Sequence, residues 1–248
     1  MQNYSLSKNL LGLIPPALNA VQDVLLQYTI PAARKGNIQI IWLNWGITEE
    51  DLPSIPPACM RVFGWRANCN ANDYGLSSRR HEAGRATIEC GEVPRPGAPG
   101  TDLGRVVLES GDEVDAGRAL MRGTWNAELY DSFRASFKKG QTASRPDVLI
   151  HKNRNSGLYD SFCNCTQYLN QAGIRTLLFA GMNTDQCVMS SLQDAHSRGY
   201  DTIMLRDACA TDSPSYATQS AEYNLCRNWG FLSDSKALAD AVELNKSE

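Results

Sequence analysis

No stretch of the 248 residues approaches the ~20 apolar residues that a membrane-spanning helix needs. Neither sign of charge dominates: 24 Lys and Arg stand against 27 Asp and Glu, and no basic run exceeds two residues. No nucleic-acid or membrane partner is therefore expected. Histidine is scarce, and His81, His151 and His196 show no ligand-like spacing, so no metal is expected. No C-x-x-C is present, which removes thioredoxin-type and zinc-ribbon readings. No G-x-G-x-x-G follows a strand-like run, which removes a dinucleotide-binding fingerprint; Gly97-Ala-Pro-Gly100 lies in a Pro-rich loop. Internal repeats and low-complexity tracts are also missing. The start, Met1-Gln-Asn-Tyr-Ser5, lacks the basic and apolar regions of a signal peptide.

What is present is ordinary globular material. An apolar fraction of 42% over this length suits one α/β domain spanning residues 1–248. Eight Cys are scattered through apolar patterns and read as reduced, mostly buried thiols in a cytoplasmic protein. Residues 17–34 repeat Ala17, Val21, Leu25 and Tyr28 at helical spacing, and Pro31 is expected to kink or end that helix. The run at 38–43 reads as a strand buried on both faces. Residues 64–104, rich in Gly, Pro, Asn and Arg, read as long loops, part of a loop-rich insertion around 60–145. Within it, 118–126 is taken as a strand and 130–137 as a short helix.

From residue 147 onward, strand and helix alternate. Strands are expected at 147–151, 176–181 and 202–206, and helices at 158–172, 187–198 and 215–230. The first of these helices has Leu158, Phe162, Cys165 and Leu169 as its stripe. This pace means βαβ units, a parallel sheet and right-handed crossovers.

Cys187 follows a buried strand and a tight connection, Gly181-Met-Asn-Thr-Asp-Gln186, and opens a helix. Ligands of open parallel sheets bind beyond the carboxyl ends of the strands. A helix N-terminus favours the reactive thiolate and offers N–H groups to an oxyanion. Lys152 closes the neighbouring strand on the same rim, where an ammonium also favours a thiolate. A lone Cys is more often a small buried hydrophobe and a lone Lys a solvated one. Their shared place at strand ends sets these two apart. His151 alternates to the other face.

Three segments carry a resemblance. Phe179-Ala-Gly-Met-Asn-Thr-Asp-Gln-Cys-Val188, followed by Gln193-Asp-Ala195 and Gly199-Tyr200, resembles the nucleophile segment of isochorismatase-like cysteine hydrolases. His151-Lys-Asn-Arg-Asn-Ser-Gly-Leu-Tyr159 is similar to that family's lysine segment, and Asp207-Ala-Cys-Ala-Thr211 to the strand end that follows. Met1-Gln-Asn-Tyr4 and Ile40-Ile-Trp-Leu-Asn44 resemble the stretch after the first strand and the second strand. The resemblance implies a three-layer α-β-α fold with a mostly parallel central sheet. It also implies a Cys nucleophile acting through an acyl or carbamoyl enzyme, with no cofactor. A cis peptide by Met182–Asn183 follows from it, with the N–H groups of Asn183 and Cys187 aimed at the oxyanion. Homodimers or homotetramers are common in the family.

The pattern is broken in two places. The family's triad Asp lies at the end of a mid-sheet first strand, directly before the segment matched by Met1. Either the sequence is part of a longer protein, or the chain is impaired or recruits another acid. Glu49, Glu50 and Asp51 lie on the correct rim but read better as a solvated helix start. Where nicotinamidase-type members carry Asp-x-His, this chain has Asn44-Trp45-Gly46, which points away from a nicotinamidase. For substrate, Asn3, Asn44, Trp45, Trp125 and Tyr159 are the binding candidates. The Asn-Thr-Asp-Gln-Cys wording resembles ureidoacrylate-type amidohydrolases, so hydrolysis of a C–N bond in a small carboxamide, carbamoyl or ureido compound is expected. The alternatives are vinyl ether hydrolysis and non-catalytic binding on the same fold.

Overall fold

The computed structural model describes residues 1–7, 10, 21–60 and 98–245. Of the first expected helix, the part before residue 21 lies outside them; the rest forms α1, residues 21–35. Pro31 has no N–H to return to the preceding turn. The helix does not end there but widens into a π turn over Leu25–Thr29 and continues as Ile30–Lys35. The extra residue rotates the buried stripe. Tyr28 is 59% exposed, while Thr29 and Ile30 are buried in its place.

β1 is Ile41–Trp45, shifted toward the C-terminus of the expected run. A short antiparallel hairpin, β2 (Arg105–Val107) and β3 (Glu113–Asp115), lies apart from the main sheet. The strand expected over 118–126 does not form. Gly117, Leu120 and Gly123 adopt φ of 72°, 61° and 84°, which no extended strand accommodates. The stretch instead makes single bridges from Arg118 to Asp102 and from Met121 to Ile47, then a 3₁₀ turn at Trp125–Ala127. α2 is Asp131–Gly140.

β4 is Val148–Lys152. The helix expected from 158 shrinks to α3, Asn164–Gln171. Side chains ahead of it bond the backbone locally: Ser156 Oγ accepts from Leu158 N and Asp160 Oδ1 from Phe162 N. Such bonds compete with a helix. Phe162 is consequently 82% exposed, whereas Leu158, Cys165 and Leu169 are buried. Then come β5 (Thr176–Met182), a π turn (Thr184–Val188) leading into α4 (Met189–Ser197), and β6 (Asp201–Ala210). α5 (Ser215–Asn224) runs into a second π turn (Leu225–Trp229), followed by β7 (Phe231–Ser233) and α6 (Ser235–Leu244). Asp234 caps α6 by accepting from Ala237 N.

The strands are parallel and fall into two half-sheets, β1–β4 and β5–β6–β7. Helices cover both faces, giving three layers. Trp42, Leu205 and Ala208 pack with Val21, Leu25 and Ile30 of α1 and Phe133 of α2. On the other face Ile150 packs with Cys165 and Leu169 of α3 and Ala195 of α4. Among the described residues, β1 pairs with β4 alone and β5 with β6 alone. Their facing edges border a cavity of about 340 Å³.

Candidate active site

The cavity between the half-sheets opens at the carboxyl ends of β1, β4 and β5. Lys152, the last residue of β4, pairs in register with Trp45. Strand alternation sends Ile150 and Lys152 to one face and His151 to the other. The buried Lys152 ammonium lies 4.3 Å from the Trp45 ring centroid. It donates to the carbonyl oxygens of Arg154, at 3.1 Å, and Asn155. Burial pulls its pKa below the ordinary lysine value, and the charge of Cys187 together with a hydrogen bond to it opposes that fall.

Cys187 stands within the π turn that leads into α4, three residues beyond the helix start rather than at it. Asn183 caps the turn, and its carbonyl accepts from both Gln186 N and Val188 N. The Met182–Asn183 peptide is cis. Cys187 Sγ–H donates to Asn155 Oδ1 at 3.0 Å. The loop carrying Asn155 is fixed to α4, because Gly157 N donates to Ser191 Oγ at 3.1 Å. Gly157 lets this loop lie close to β1: a Cβ there would come within 2.4 Å of Leu43 Cδ2, and the leucine would have to shift.

Three consecutive residues after β6 clasp the nucleophile turn. Thr211 Oγ1 donates to Asp185 Oδ1 (2.6 Å), Asn183 Nδ2 donates to Asp212 Oδ1 (2.5 Å), and Gln186 Nε2 reaches Ser213 Oγ (3.4 Å). Asp212 is the only carboxylate among the described residues lining this cavity.

The structure brings together Cys187, Lys152, Asn183, Asn44 and Trp45, all of which line the cavity. Tyr159 lines a second cavity beside β4, with its hydroxyl donating to Asn153 Oδ1 at 3.2 Å. Asn3 and Trp125 line neither cavity. Asn3 Nδ2 donates to the Trp125 carbonyl at 2.8 Å, which ties the N-terminal turn to the 3₁₀ turn. Sequence reasoning passes over Gln2, Asn155 and Asp212. Gln2 brackets the backbone of Trp45, donating to its carbonyl (2.7 Å) and accepting from its N–H (2.9 Å). Gln2 and Asn155 both lie inside segments that carry the resemblance, but nothing local marks them as site residues. Among the described residues no group of three His, Cys, Asp or Glu side chains converges as a metal site would require.

A family model, the Isochorismatase domain, matches residues 79–227. The chain belongs to the isochorismatase family. It is 33% identical over 116 residues to the ureidoacrylate amidohydrolase RutB of Agrobacterium fabrum (strain C58 / ATCC 33970), covering 47% of this chain and 46% of that protein. This member spans about half the length of the curated relatives it matches. Its fold is similar to that of an isochorismatase family protein from Desulfovibrio vulgaris subsp. vulgaris str. Hildenborough, with TM-score 0.59, 17% identity and coverage of 98% and 94% of the two chains. It is also similar to N-carbamoylsarcosine amidase from Thermoplasma acidophilum, with TM-score 0.53, 17% identity and coverage of 95% and 92%.

Proposed function

We propose that the protein is a cysteine-nucleophile hydrolase that cleaves a C–N bond of a small carboxamide, carbamoyl or ureido compound. The observation that carries this reading is a shared cavity. Cys187 Sγ and the buried Lys152 ammonium meet at the carboxyl ends of parallel strands, with Asn155 orienting the sulfur. The relatives named as amidohydrolases and as an amidase support the bond type.

Lys152, its pKa lowered by burial, takes up the Cys187 thiol proton; the thiolate attacks the carbonyl carbon, and the N–H groups of Asn183 and Cys187 receive the oxyanion. The C–N bond breaks, and nitrogen leaves as ammonia or an amine with a proton from Lys152. A lowered lysine pKa makes that ammonium the readier acid. Water then adds to the thioester and the C–S bond breaks. The thiolate returns, the acid is released, and a proton of the water restores Lys152. Asn44 and Trp45 border the bound carbonyl compound.

A panel of carboxamides, N-carbamoyl acids and ureido acids scored by ammonia release tests the proposal. The wild-type chain releases ammonia from at least one class, and Cys187→Ser lowers that rate by ~10³-fold or more. Retention of the rate in Cys187→Ser, or no release from any class, overturns it. One observation favours non-catalytic binding instead: the single carboxylate lining the cavity, Asp212, is already bonded to Asn183. A ligand from the panel that binds without turnover is the outcome that reading requires.

A further inference from the structure

The second cavity, of about 330 Å³, lies beside the end of β4 and meets the first at Lys152, which lines both. Its walls are polar: Thr48, Asp51, Arg122, His151, Asn153 and Tyr159. Most of these groups are committed to one another. Asp51 Oδ2 accepts from Thr48 N (2.9 Å) and Thr48 Oγ1 (3.1 Å), and Asp51 Oδ1 accepts from Asn153 Nδ2 (2.7 Å). Tyr159 donates to Asn153 Oδ1.

Two groups are not committed. Arg122 is exposed and makes no ion pair among the described residues. Its charge is nonetheless felt by Glu50, Asp51 and His151. His151 Nδ1 is buried with no hydrogen-bond partner. The imidazole is seated against residue 46, where a Cβ would come within 2.2 Å of Nδ1, so Gly46 is what admits the ring. An exposed guanidinium that is not committed to a carboxylate of the protein is free to bind an anion that enters this cavity.

We propose that this cavity is an anion subsite, in which Arg122 binds a carboxylate of the ligand beside the His151 ring. The ligand class is a small acid that carries an amide or ureido nitrogen. Joined at Lys152, the two cavities hold the acid end of such a molecule in one and its scissile carbonyl in the other. That last step rests on the hydrolase reading above; the binding itself does not.

The first test needs no turnover. Propionate, and its neutral isostere propionamide, are titrated into the full chain while the His151 ring is followed by long-range ¹H–¹⁵N spectra. The chain has only three His, and His151→Gln assigns the resonance. A saturable His151 shift with propionate, absent with propionamide and lost in Arg122→Gln, is expected. No shift, or an equal shift in Arg122→Gln, overturns the subsite whatever the enzyme assay shows. The second test compares N-carbamoylglycine with N-carbamoylglycinamide. Arg122→Gln should lower the kcat/KM preference for the acid over its amide by ~10–100-fold, with partial rescue in Arg122→Lys. An unchanged preference also overturns the subsite. If neither compound is turned over by the wild type, the hydrolase reading fails for this class while the titration still decides the subsite.

Discussion

The two half-sheets contribute one half each of the candidate machinery, and they are stabilised by different means. β1–β4 holds Lys152 at its carboxyl end and a buried ion pair at the other. Asp147, just ahead of β4, accepts from Arg34 of α1 at 2.6 Å and from Trp42 Nε1 of β1 at 2.8 Å. β5–β6–β7 holds the Cys187 turn and has an apolar interior: Val188, Met189, Leu192, Met204, Ala221 and Leu225. One polar contact in that interior is neutral, from Thr202 Oγ1 to the carbonyl of Trp229, while the carboxylates of Asp185 and Asp212 accept bonds at the nucleophile turn. The half that presents the cation thus contains a buried ion pair at its far end, while the interior of the half that presents the sulfur is apolar. Among the described residues no strand of one half pairs with a strand of the other.

The largest expected effect comes from breaking the charge in the first half. Asp147→Ala strands a mostly buried guanidinium and the indole N–H of Trp42, at a cost of about 3–5 kcal/mol. Thermal unfolding should shift down by on the order of 10 °C for a chain of this size. Replacing both partners, Arg34→Met with Asp147→Leu, should recover most of that loss, because no unpaired charge remains. A double variant as unstable as Asp147→Ala would show that the ion pair itself, and not the stranded charge, stabilises this half.

A smaller effect is expected in the second half. Thr202→Val keeps the shape and removes one donor, leaving the Trp229 carbonyl without it, which costs about 1–3 kcal/mol. Gly230 packs so closely here that a Cβ would come within 2.2 Å of the Thr202 carbonyl, so the strand has little room to adjust. Urea unfolding at constant m-value reads the difference. A cost equal to that of Asp147→Ala would erase the contrast between buried charge and buried neutral polarity.

The halves also differ in how far they can be read from the residues alone. Strands β4, β5 and β6 follow from continuous apolar runs, as does their parallel arrangement from the alternation with helices. Lys152 stands out because it terminates such a run, and Cys187 because it follows one across a tight connection. What escapes a periodic reading is set by interruptions. The π turn in α1 exchanges Tyr28 for Thr29 on the buried face, local side-chain bonds keep 153–163 out of a helix, and positive φ at Gly117, Leu120 and Gly123 prevents a strand. Gln2 and Asp212 escape for another reason. Their roles rest on contacts with Trp45 and Asn183, 43 and 29 residues away in sequence, which no local pattern encodes.

The smallest effect sharpens the comparison by pH. Burial, and then the charge of Arg122, hold the His151 pKa below 6.5, against a bond to the Trp45 backbone. Asp51 and Lys152 are the other charged groups lining its cavity, on the loop after β1 and at the end of β4. The unfolded chain therefore takes up the His151 proton at a pH where the folded chain still resists it. Stability should fall as the pH drops through 6.5 toward the lower folded value. Because the ring is only half buried, the slope amounts to a small part of one proton's worth. Melting temperatures between about pH 8 and pH 5.5 should show this slope in the wild type and a flatter one in His151→Gln. An unchanged slope in His151→Gln would move the acid sensitivity elsewhere and leave the imidazole without an electrostatic role in the first half-sheet.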